Sequence, residues 1–138
     1  MDNNEKYDHW EDIARYDLET AEAMLHSGRY LYVAFMCQQA IEKLVKGLFV
    51  WHKDEEPPRT HNIYSIYKAI YGDDSHNKER TEQEKKYTPF FAQLLAYYIS
   101  ERYPSYKEKL SATVTREKAV EVLSMAREVF LWLQSLKQ

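Results

Sequence analysis

The chain has one cysteine, three glycines and four prolines in 138 residues, and no long apolar run. Each scarcity excludes something. A lone Cys37 cannot close an internal disulfide, and its apolar neighbours suit a small buried side chain better than a reactive thiol, so redox chemistry is not expected. So few glycines and prolines disfavour a turn-rich β architecture and leave helix as the simpler reading. No stretch approaches the ~18 uninterrupted apolar residues of a membrane-spanning helix, and the mean hydropathy is −0.70. The opening residues MDNNEKYDHWED lack the basic and apolar regions of a secretory signal. A cytoplasmic protein with no membrane association is the expectation. Net charge is −3, from 19 basic and 22 acidic residues, so the overall basic field of a general nucleic-acid binder is missing and any nucleic-acid site must be local.

Tyrosine is abundant instead, at twelve positions. Rings buried with hydroxyls at the rim is one reading of that excess, and stacking on nucleobases is the other. The length suits a single domain, residues 1–138, with room for one core.

Apolar spacing predicts an all-α, up-and-down antiparallel bundle of four main helices and a short accessory one. The first spans Tyr7 to about His26, with Trp10, Ile13, Ala14, Asp17-Leu18, Ala21, Met24 and Leu25 at three- and four-residue steps. Gly28 lies just past that stripe, where helices commonly stop. The second runs from about Tyr30 to Trp51 and must end before Pro57-Pro58. The accessory helix covers Ile63 to Tyr71, and Gly72 ends it. The following DDSHNKERTEQEKK has no apolar residue, and a mobile charged loop is expected over residues 72–86, or a solvated helix start. A fourth helix is expected from about Pro89 to Glu101, with the proline in its first turn. The last spans about Thr115 to Leu136, where Ala119, Val122, Ala126, Val129, Leu133 and Leu136 form a heptad-like seam that suits either the chain's own core or a dimer.

Three constellations carry polar chemistry. Gln39, Glu42, Lys43, Lys46 and Lys53 fall opposite the Ile41/Leu44/Leu48 stripe of the second helix. Two ammonium groups three residues apart suit adjacent phosphates, with Gln39 donating and Glu42 holding Lys46; an ordinary solvated face laced by the same pair is the other reading. Arg59-Thr60-His61-Asn62 stands at a helix entrance, where free N–H groups attract anions unless Thr60 or Asn62 merely caps the helix. Arg102 lies among Tyr97, Tyr98 and Tyr103, placed either for phosphate or ring binding or for pairing with Glu101. The five histidines and one cysteine form no metal motif, and there is no phosphate loop or nucleophile elbow. No metal or cofactor is expected, and the residues alone name no reaction.

Asp8 to Leu25 (with W-x-x-x-A-x-x-D-L-x-x-A-x-x-M-L), Tyr30 to Lys46 (with Ala34-Phe35 ahead of Cys37-Gln38-Gln39-Ala40-Ile41-Glu42-Lys43), His61-Asn62-Ile63, and Tyr98 to Pro104 with its Arg-Tyr-Pro together resemble the HEPN domain in order and spacing. That resemblance implies a helical bundle, frequently dimeric and often paired with a minimal nucleotidyltransferase in a toxin–antitoxin type of module. Many such proteins are metal-independent ribonucleases that use an arginine followed, after four to six residues, by a histidine. None of Arg15, Arg29, Arg59, Arg80, Arg102, Arg116 and Arg127 has a histidine at that distance. The expectation is therefore a non-catalytic module that binds a nucleotide or RNA through Gln39, Glu42, Lys43, Lys46, His61, Arg102 and Tyr103. One alternative is a ribonuclease toxin with a rearranged site, its catalytic candidates being His61 and Arg102. The other is a helical module that only docks a protein.

Overall fold

Helix α1 (Asn3–His26) starts on Asp2, whose carboxylate accepts the Glu5 N–H at 2.8 Å, occupying one donor of the first turn. The computed structural model describes residues 1–72, 76–102 and 112–138, with the backbone alone at 100–102. Gly28 ends α1 as expected. Its φ is +75°, and the N–H groups of Gly28 and Arg29 return to the carbonyls of Leu25 and Met24 at 3.2 and 2.9 Å, a closure that places the glycine in left-handed backbone. The chain then reverses into α2 (Tyr30–Lys53), which ends at Asp54 (φ 53°) ahead of the two prolines.

Asn62 caps α3 (Ile63–Tyr71) by accepting the Ser65 N–H at 3.3 Å. Thr60 Oγ1 accepts the Asn62 N–H at 3.2 Å. Both candidate caps at this entrance are therefore engaged with backbone. Helix α4 spans Lys78–Arg102, and α5 (Arg116–Ser135) begins on Thr115, which accepts the Lys118 N–H at 3.2 Å. No strand occurs among the described residues.

Helix α2 is the axis of the bundle, packed against α1, α3, α4 and α5. Its buried residues accordingly go nearly all the way round, from Leu31 and Val33 through Ile41, Leu44 and Val45 to Phe49 and Val50. At Gly47 an added Cβ would sit 2.8 Å from the Trp10 Cβ. Only glycine leaves room for α1 there. The excess of tyrosine is in large part core: Tyr7, Tyr67, Tyr87 and Tyr97 are buried, and the Tyr7 and Tyr87 hydroxyls donate to Glu11 and Glu128 at 2.6 and 2.7 Å.

One expectation is corrected, and a choice between two readings is resolved. Residues 78–86, expected within a mobile loop, are the opening turns of α4, and Pro89 lies inside the helix rather than at its start. These turns bury little apolar surface, but Asn77 Oδ1 accepts the Arg80 N–H at 2.9 Å, Glu84 pairs with Lys68 of α3 at 3.1 Å, and the Arg80 guanidinium lies 4.6 Å from the Tyr71 ring centre. Capping and cross-helix contacts replace the missing stripe. Second, the heptad-like residues Ala119, Val122, Ala126, Val129 and Leu133 of α5 are buried, and α5 packs chiefly on α2. That seam belongs to the chain's own core.

Candidate functional site around Glu42

Position 42 follows Ile41 by one residue, which turns its side chain about 100° away from the core stripe. On a helix with a free outer face it would meet water. Here α2 is enclosed, and Glu42 is only 4% exposed. Burying a carboxylate is costly unless its oxygens are hydrogen-bonded and its charge is matched. Both conditions are met. Oε1 accepts from Gln38 Nε2 at 2.8 Å and from His61 Nδ1 at 2.9 Å, and Oε2 takes the Lys46 ammonium at 3.1 Å. A carboxylate only accepts, so the imidazole presents a hydrogen on Nδ1 and turns Nε2 away from Glu42.

The sequence-based reading of the strip as a solvated face is therefore corrected for Glu42 and Lys46, since the Lys46 side chain is only 12% exposed. The missed member is Gln38. It is fully buried and joins the cluster on three sides: its amide nitrogen reaches Glu42 and, at 3.3 Å, the His61 carbonyl, while its oxygen accepts from Gln39 Nε2 at 2.6 Å. The i,i+4 spacing of Gln38 and Glu42 was the signal available for it.

His61 arrives from the segment before α3, and α4 supplies the wall it leans on. Its ring stacks on Tyr98, with centres 4.1 Å apart and planes 22° from parallel. Tyr98 in turn stacks against Phe35 of α2, at 6.1 Å and 23°. Arg102 closes α4 four residues after Tyr98, and its side chain lies outside the described residues, as does Tyr103 altogether. Lys43 is directed elsewhere, to Asp17 of α1. Lys53 is exposed.

Lys46 has a second neighbourhood. With Lys6, Trp10, Val50, Pro58 and Arg59 it borders an open groove of about 600 Å³ between the start of α1 and the segment joining α2 to α3. The Glu42 cluster thus reaches solvent on two sides, through His61 and through Lys46. Among the described residues no group of three or more His, Cys, Asp or Glu side chains is arranged to hold a metal, and no helix is long and apolar enough to cross a membrane.

The family model for the HEPN domain matches residues 7–136. Among solved structures, the chain is similar to TT1696 from Thermus thermophilus, seen in a crystal structure, with TM-score 0.72 and 24% identity over 95% of this chain and 98% of that one. At that identity the likeness shows the fold. No curated protein matches the chain.

Proposed function

The chain belongs to the HEPN domain family, and from that membership and the shared carboxylate of Glu42 we propose a non-catalytic nucleotide- or RNA-binding module that acts beside a partner nucleotidyltransferase. The observation that carries this reading is the fixing of two phosphate-seeking side chains, His61 and Lys46, on one buried acceptor. A lysine held this way spends one ammonium hydrogen on Glu42 and keeps others for a ligand in the groove it borders. Arg59 and Lys6 line the same groove, whose border also carries Asp54, Glu55 and Glu56, so a phosphate would be met by the cations locally and not by a net positive field. Gln39 belongs to the network through Gln38, and Arg102 and Tyr103 follow Tyr98 in the chain. Preorganised donors of this kind lower the ordering cost of binding an anion. Lys43 acts at a distance, by holding α1 to α2.

Titration of the purified protein with labelled mononucleotides and short RNA at low salt tests the reading. Binding should weaken as salt rises, because phosphate contacts release counterions, and should drop in Lys46→Ala. An unchanged signal at millimolar ligand ends it. Co-purification with a nucleotidyltransferase encoded beside the gene tests the partner.

One observation favours a second reading, a metal-independent ribonuclease. With its Nδ1 hydrogen given to Glu42, the neutral form of the imidazole carries its lone pair on Nε2, the arrangement a general base uses to take a proton from a 2′-hydroxyl. RNA cleavage that disappears in His61→Ala would favour this enzyme, and RNA left whole by freshly folded protein would remove it.

A further inference from the structure

Phosphate recognition leaves one feature of the site unexplained, the column of rings Phe35, Tyr98 and His61. It draws on three separate parts of the chain, α2, α4 and the segment before α3. Hydrogen bonding to Glu42 alone would fix one edge of the imidazole and let the ring swing about that bond. Tyr98 at 4.1 Å, nearly parallel, removes that freedom as well. One face of the ring is therefore covered and its Nδ1 edge is occupied, yet the side chain remains 45% exposed. The exposed area is the opposite face and the Nε2 edge.

A rigid, flat, half-covered heteroaromatic ring at the end of a stack offers one kind of surface, a face for another flat ring. We propose that the outward face of His61 is a stacking platform for a nucleobase, which adds a further ring to the column Phe35–Tyr98–His61. This rests on the nucleotide reading above and deepens it, since the base is now held as well as the phosphate. Stacking is tolerant of base identity because every base presents a π face. The ligand class is thus a nucleotide or an unpaired RNA base, with purines gaining most from their larger overlap, and discrimination among the bases is weak.

The test uses 2-aminopurine ribonucleoside monophosphate, whose fluorescence is quenched on stacking, alongside ribose 5-phosphate, which has no base. Wild type should bind the first with quenching and the second more weakly. His61→Phe keeps a ring against Tyr98 and gives up the bond to Glu42, and it should still quench. His61→Asn and Tyr98→Leu should lose about ten-fold or more in affinity for the fluorescent nucleotide, the equivalent of about 1.4 kcal/mol; Tyr98→Leu should change ribose 5-phosphate binding little, while His61→Asn should weaken it as well. Ligand proton resonances in the wild-type complex should move upfield through the ring current, a readout independent of any variant's folding. Nucleotide that binds without quenching and without an upfield shift places the base elsewhere and overturns the platform, while the binding reading stands. Failure of both ligands to bind at millimolar concentration overturns the two together.

Discussion

Lys43 and Asp17 pair across α1 and α2, with side chains only 25% and 9% exposed. The lysine predicted to grip phosphate has its charge met by a carboxylate of its own chain. Lys43→Ala strands that carboxylate in a mostly covered position and should lower stability by about 1–3 kcal/mol, more than Asp17→Asn, which leaves the lysine able to reach water. Urea unfolding of both single variants and the double should give a coupling well above additivity error. Nucleotide affinity should fall less in Lys43→Ala than in Lys46→Ala; the reverse order would return Lys43 to the ligand.

Gly47 sets how closely α1 lies on α2. Gly47→Ala puts a methyl 2.8 Å from the Trp10 Cβ, a backbone-linked atom that no rotamer change moves away. Alanine's helix propensity exceeds glycine's by about 1 kcal/mol, but overpacking costs of about 1–3 kcal/mol oppose it. A net loss in thermal midpoint is expected, together with a changed environment for Trp10 in fluorescence.

Glu42→Gln keeps the side-chain volume and removes the charge that Lys46 and His61 share. With Lys46 only 12% exposed, the lost counter-charge should reduce stability by about 1–3 kcal/mol. Quenching of the fluorescent nucleotide should persist, because Tyr98 still holds the His61 ring, and affinity for ribose 5-phosphate should not fall, because a negative neighbour has been removed. A parallel loss for both ligands would mean that Glu42 acts through the fold alone.

Burial pushes the Cys37 thiol up from 9.0 to about 12, since the apolar surroundings disfavour the thiolate. At about pH 8 the native protein should react with a disulfide reagent far more slowly than the urea-unfolded chain. The linked stability has a definite sign. The folded state favours the protonated thiol, so its contribution is complete below pH 9.0 and is lost as pH rises toward about 12. Unfolding midpoints across that window should fall with pH, and less steeply in Cys37→Ala.

Legibility in the sequence followed the range of the interactions. The Gly28 stop and the Asn62 and Thr115 starts depend on bonds within a few residues, and they stand where spacing and residue type placed them. The first half of α4 reads from sequence as either a mobile loop or a solvated helix start because much of what holds it comes from α3, through Lys68 and Tyr71, and no local pattern reports such partners. Glu42, Lys46 and His61 are expected from sequence in one binding site, but spacing alone does not separate that reading from a solvated strip beside a capped helix entrance. Their joining depends on the path from α2 to α3, and the stack on Tyr98 depends on α4.

Residue periodicity by itself determined that this chain forms helices and which stripe of most of them turns inward, because helical geometry is set by neighbours three and four positions away. Only the tertiary structure decided that α2 would be covered on its polar side too, and whether a given lysine meets water, a carboxylate or a groove. Burial is a property of what packs against a side chain, and for Glu42, Lys43 and Lys46 those neighbours come from separate parts of the chain.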